Sequence, residues 1–121
     1  MIKLIVLVKR KPGTTRASFI DYYEKHHAEL GKKICGHLWE RYVRNYPQDI
    51  MNYTPEDNSL EDSYDAITEI WLRDNAALAE MERILKTPEI QKAVLEDEER
   101  FQDRLKTRMM VVKSCDTETN I

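Results

Sequence analysis

The sequence predicts an α+β fold in which four strands and two main helices follow the order βαββαβ. Three observations lead there. Short β-branched runs sit near both ends and in the middle of the chain. Apolar residues at helical spacing lie between them. Turn-forming Gly and Pro mark several of the junctions. Ile2 to Arg10 reads as the first strand and stops at Lys11-Pro12-Gly13. Thr15 is placed to cap a helix, and Phe19, Tyr23, His27 and Leu30, in steps of four, four and three, share its inner face. Gly31 is expected to end that helix, with Gly36 closing the loop after it. His37 to Tyr46 alternates as a second strand and is stopped by Pro47. The polar stretch 49–62, with Asn52, Pro55, Asp57 and Asn58, reads as a long exposed loop. Ser63 to Leu72 is the third strand. Asp74 caps a helix carrying Ala77, Leu78, Met81, Ile84 and Leu85. Thr87-Pro88 restarts a short helix whose apolar side holds Ile90, Ala93, Val94 and Phe101. Leu105 to Lys113 is the last strand. Four strands in this order form a ferredoxin-like antiparallel sheet with both helices on one face. The folded domain is expected over 1–114, with 115–121 as a polar tail.

Composition narrows the function. The chain has 121 residues, enough for one domain, and is 41% apolar and 34% charged. Lys and Arg number 19 against 22 Asp and Glu, a net charge of -3, which disfavours a general nucleic-acid binder. No apolar run approaches the length of a membrane span. Leu4 to Val8 is too short and poorly flanked for a signal peptide. Cys35 and Cys115 are far apart and fit a reduced, cytoplasmic protein.

The third strand has two apolar faces. Ala66, Thr68, Ile70 and Leu72 share one, while Asp65, Ile67, Glu69 and Trp71 share the other. The helices cover one face, and the simplest cover for the face bearing Trp71 is a second copy of the chain, giving a homodimer.

His26-His27 is the most pointed chemical feature. An imidazole on the inner face of a helix suits proton transfer near neutral pH, and Tyr23, four residues earlier, is placed to orient it or a substrate oxygen. The alternative is a core histidine bonded to a carbonyl, with His26 on the surface. Asp65 and Glu69 form a carboxylate pair better read as partners of Arg41 or Arg44 in the neighbouring strand, or of the second subunit, than as an acid–base couple. Tyr22, Tyr42, Tyr46, Tyr53, Tyr64, Trp39 and Trp71 supply rings for core, interface or the wall of a flat pocket. The cysteines and histidines show no metal-ligand spacing. There is no glycine-rich phosphate loop and no Gly-x-Ser-x-Gly. The charge run from Glu96 to Arg100 reads as a solvated helical face.

Four stretches together resemble the EthD-like family of dimeric α+β barrels. They are Leu7 to Gly13; Phe19 to Tyr23 with His27-Ala28-Glu29-Leu30; Arg41 to Asn45; and Asp65 to Leu72. The resemblance spans about residues 1 to 114, and Glu99-Arg100-Phe101 and the closing strand also fit. It implies two sheets paired into a barrel and a ligand cleft between sheet and helices. Relatives include cofactor-free enzymes that dehydrate, decarboxylate, cyclise or oxidise aromatic polyketides, muconolactone isomerases, and proteins found beside ether-degrading oxygenases. The residue matching His27 is thought to move protons in several of them. Ile70 stands where isomerase-like relatives carry cysteine, a departure from that reaction. The expectation is therefore a lyase or isomerase without cofactor or metal, acting on a small aromatic or polyketide-like molecule. His27 and Tyr23 would be catalytic, and Phe19, Tyr42, Ala66, Thr68 and Ile70 would bind substrate. A cofactor-independent monooxygenase of a phenol and a non-catalytic binding or accessory protein are the alternatives.

Overall fold

A computed structural model describes residues 1–51 and 59–120. Tyr53 and the middle of the expected 49–62 loop lie outside the described residues. The strands are β1 (Ile2–Val8), β2 (Trp39–Asn45), β3 (Ala66–Leu72) and β4 (Arg108–Val112). They form one antiparallel sheet in the order β2-β3-β1-β4. This is the ferredoxin-like arrangement expected from the sequence.

The first helical segment is longer than expected. Thr15 Oγ1 accepts from Ser18 N–H at 3.1 Å and starts α1 (Arg16–Tyr22). A wider π turn over Tyr23–His27 follows, in which Ala28 N–H reaches back five residues to the Tyr23 carbonyl. The helix then continues as α2 (Ala28–Cys35). Gly31 does not end it. A Cβ at Gly31 would lie 3.0 Å from Trp39 Cη2, so the glycine makes room for the indole at a cost of about 1 kcal/mol in helix propensity. Gly36 opens a short 3₁₀ turn, Gly36–Leu38, that leads into β2. Asp74 caps α3 (Asn75–Leu85), accepting from Ala77 N–H at 2.9 Å. Pro88 opens α4 (Pro88–Phe101), which at 14 residues is not the short helix expected.

The core has two clusters on the helix side of the sheet. Leu4, Cys35, Ile70, Leu72, Ala77, Met81 and Ile84 form one, beneath α2 and α3. Val8, Phe19, Tyr23, Ala28, Ala66 and Phe101 form the other, beneath α1 and α4. Burying a side chain such as Phe19 contributes about 1.5–3 kcal/mol. A bulge between Trp39 and Arg41 in β2 sets Tyr42 opposite Ile70 and Arg44 opposite Thr68.

Asp65 corrects two expectations. It precedes β3 and is 0% exposed, so it takes no part in the open sheet face. Its partners are not Arg41 and Arg44. Arg10 donates to it through its backbone N–H (2.8 Å) and Nη1 (2.7 Å), Arg16 through Nε (3.2 Å), and Lys9 Nζ lies 3.6 Å away. Glu69 pairs with Lys3 at 2.9 Å. Arg41 lies over the ring of Trp71, 5.1 Å from its centroid. Arg44 turns to the helix side and bonds Glu24 at 2.9 and 2.6 Å.

Candidate active site

A cleft of about 290 Å³ opens between the sheet and the helices, where the two core clusters meet. Val6, Thr68 and Ile70 form its floor, and Leu30, Ile34 and Met81 are among its apolar walls. The π turn brings Tyr23 and His27 to one side of it.

His27 is held by α4. Its Nδ1 lies 2.5 Å from Asp97 Oδ2, and the Tyr22 hydroxyl donates to Asp97 Oδ1 at 2.8 Å. Burial works to raise the Asp97 carboxyl. The hydrogen bonds from His27 and Tyr22, with the charge of Arg100, outweigh it and hold the group below its ordinary value. An ionised Asp97 accepts a hydrogen bond from Nδ1–H, which leaves Nε2 as the nitrogen with the free lone pair. Phe101 lies 4.9 Å from the imidazole, as does the edge-on ring of Tyr23.

Glu98, next to Asp97, also lines the cleft. Burial raises its carboxyl, opposed by Arg104 and His27 and reinforced by Asp97. The charge run from Glu96 to Arg100 is therefore not wholly a solvated face. Asp97 stands three residues after Val94 and four before Phe101, on the apolar stripe of α4, and that spacing was the available signal. Sequence reasoning also missed Gln102, Arg104 and Thr107, which close the α4–β4 end of the cleft.

The Tyr23 hydroxyl is buried and shares a 2.6 Å hydrogen bond with Thr68 Oγ1. Burial pushes it up from its ordinary pKa, and Tyr42 beside it is pushed up for the same reason. Tyr46 and Arg44 both bond Glu24. Tyr23, His27, Tyr42, Thr68 and Ile70 are thus gathered around one hollow. Phe19 and Ala66 are not. Both are enclosed in the core cluster around Phe101, so neither is open to a substrate in the cleft. His26 is exposed and stacks on Tyr22. Two enclosed polar atoms, Trp39 Nε1 and Gln102 Oε1, have no hydrogen-bond partner among the described residues, and both side chains line the cleft. Among the described residues, no group of three or more His, Cys, Asp and Glu is disposed to hold a metal ion.

Comparison with known proteins fits this arrangement. The structure resembles that of an Arabidopsis thaliana protein, with a TM-score of 0.63 and 18% identity over 98% of this chain and 100% of that one. An EthD family protein from Bacillus halodurans gives 0.60 and 19%, over 95% of this chain and 100% of that one. A dimeric protein of unknown function with a ferredoxin-like fold, from Bacteroides fragilis, gives 0.55 and 11%, over 93% and 95%. No curated protein matches the sequence. The EthD domain matches residues 11–105. Over that span, which holds His27, Asp97 and most of the cleft wall, the chain belongs to the EthD domain family.

Proposed function

We propose that this protein is a cofactor-free acid–base enzyme acting on a planar aromatic or polyketide-like molecule, with His27 as the proton carrier. The observation that carries this reading is the 2.5 Å pair of His27 and Asp97 at the wall of a largely apolar cleft. A buried carboxylate that fixes the imidazole tautomer is the arrangement a general base needs. In a dehydration, His27 Nε2 takes a proton alpha to a carbonyl. The C–H electron pair forms the new double bond, the C–O bond breaks, and the departing hydroxide takes the proton back from the imidazolium and leaves as water. Asp97 stabilises the imidazolium in between. Tyr42 lines the cleft and would hold a substrate oxygen, its hydroxyl kept protonated by burial. Tyr23 is committed to Thr68 and acts as a positioning residue.

The test is turnover of a panel of phenolic and polyketide-like substrates by wild type and His27→Ala. The variant, folded by circular dichroism, should lose about 10²- to 10⁴-fold in rate. Undiminished turnover removes the role of His27. Binding without turnover by the wild type points to an accessory protein, and substrate-dependent oxygen uptake to a monooxygenase.

The sheet face bearing Ile67, Glu69 and Trp71 pairs, in the same proposal, with a second copy to roof the sheet. Ile5, Leu7 and Val43 stand half-buried on that face beside Trp71, which is flanked by Lys3 and Arg41. Light scattering should return twice the chain mass, and Trp71→Glu should halve it.

A further inference from the structure

The α4–β4 end of the cleft holds a polar group that the fold leaves unused. Gln102 follows Phe101, and its backbone is fixed twice: its N–H donates to the Glu98 carbonyl at 2.9 Å, and the residue bridges to Arg10. The side chain is 6% exposed and lines the cleft. Its oxygen is enclosed and accepts no hydrogen bond from the described residues. An amide oxygen buried without a donor is costly, and native folds keep few of them. The terminal amide turns about its last bond, so it can present either its oxygen or its NH₂ to the hollow. Arg104, Glu98 and Thr107 line the cleft with it, and Ile34, Met81 and Leu85 supply hydrocarbon wall. Gln102 lines the same cleft as His27.

We infer that Gln102 is a specificity-determining residue, which selects a ring bearing a hydroxyl over a hydrocarbon ring of the same shape and seats that hydroxyl at the α4–β4 end of the cleft. The inference rests on the reading of the cleft as a site for planar aromatic molecules. The hydroxyl supplies the donor that the enclosed oxygen lacks, and the apolar walls take the ring. Naphthalene fits the same walls but leaves the amide unpartnered.

The experiment titrates the full chain with 2-naphthol and with naphthalene, read by amide chemical shifts. The expected result is about tenfold tighter binding of 2-naphthol, the value of one hydrogen bond. In Gln102→Met the preference should fall to near unity with naphthalene binding unchanged. Equal binding of the two probes by the wild type, or an unaltered preference in Gln102→Met, overturns the inference. If that variant does not fold, the Gln102 side-chain NH₂ resonances of the wild type decide. They should move with 2-naphthol and stay still with naphthalene, and the reverse overturns the assignment. Failure of both probes to bind up to their solubility removes the aromatic-site reading together with this inference. Loss of the proton-transfer role in the His27→Ala assay leaves it standing.

Discussion

Asp65 and Asp97 are both enclosed by the fold, yet their surroundings differ in kind. Asp65 meets the guanidinium groups of Arg10 and Arg16, the ammonium of Lys9 and a backbone N–H. Both of its oxygens are occupied, and the same donors also reach Thr14, Leu60, Glu61 and Ser63, none of which lines the cleft. It ties the end of β1 and the start of α1 to the entry of β3. Asp97 meets an imidazole and a phenol. The imidazole has a second nitrogen at the cleft, so whatever Asp97 does to one side of the ring is felt on the other. A carboxylate saturated by permanent cations makes a lock. A carboxylate bonded to a group that titrates and faces a hollow makes a working part.

The largest expected effect is at the lock. Asp65→Ala removes the enclosed anion shared by Arg10, Arg16 and Lys9, leaves the two arginines only the exposed Glu61, and should cost about 3 kcal/mol, read as a lower urea midpoint. The wild-type Asp65 carboxyl is held below its ordinary value: burial pushes it up, and the Arg10 bonds and the Lys9 charge more than offset that. Its contribution is therefore complete above the ordinary carboxylate range and is lost as pH falls through the folded value. Asp65→Asn should flatten that acid limb. Wild-type-like stability in Asp65→Ala would break the comparison. Next is Asp97→Asn, which should keep the fold but lower turnover about 10²-fold, because an amide carries no charge to stabilise the imidazolium and its NH₂ can hold the ring in the wrong tautomer. An equal loss of stability and activity in both aspartate variants would erase the distinction. The smallest effect is at Glu98, whose carboxyl is raised, chiefly by burial. A raised acid favours the fold in its protonated form, so its ionisation at higher pH works against stability. Glu98→Gln should leave the melting temperature unchanged near pH 4 and raise it by about 1–3 °C at pH 7. A fall at pH 7 would show that the 3.8 Å contact with Arg104 matters more than burial.

The architecture was legible because its signals are periodic and local. Thr15 and Asp74 cap helices as their side chains dictate, and the alternation from Ala66 to Leu72 sets the two faces of the sheet. His27 was found because a histidine on an apolar face is conspicuous. Its partner was hidden, because Asp97 sits in a run of charged residues and only distance in space, 70 residues along the chain, reveals the bond. Phe19 and Ala66 were misplaced for a related reason. Periodicity says which side of an element faces inward, but not where along it the packing leaves a gap. Gly31 misled because a glycine inside a helix and one at its end look alike until the Trp39 ring is in place.

The wide turn from Tyr23 to His27 has a further effect on how this chain tolerates change in length. An extra residue in one turn retards the helical wheel by about 100° for everything downstream. Tyr23 packs with the cluster around Phe101, while Cys35, beyond the turn, belongs to the cluster around Met81, and that second assignment depends on the offset. Deleting one residue there would restore an ordinary helix, with its backbone bonds intact. It would also turn Leu30, Ile34 and Cys35 off the cleft while Phe19 stayed in place. Single-residue deletions should therefore be far more harmful between positions 23 and 27 than among the polar residues at the end of the chain.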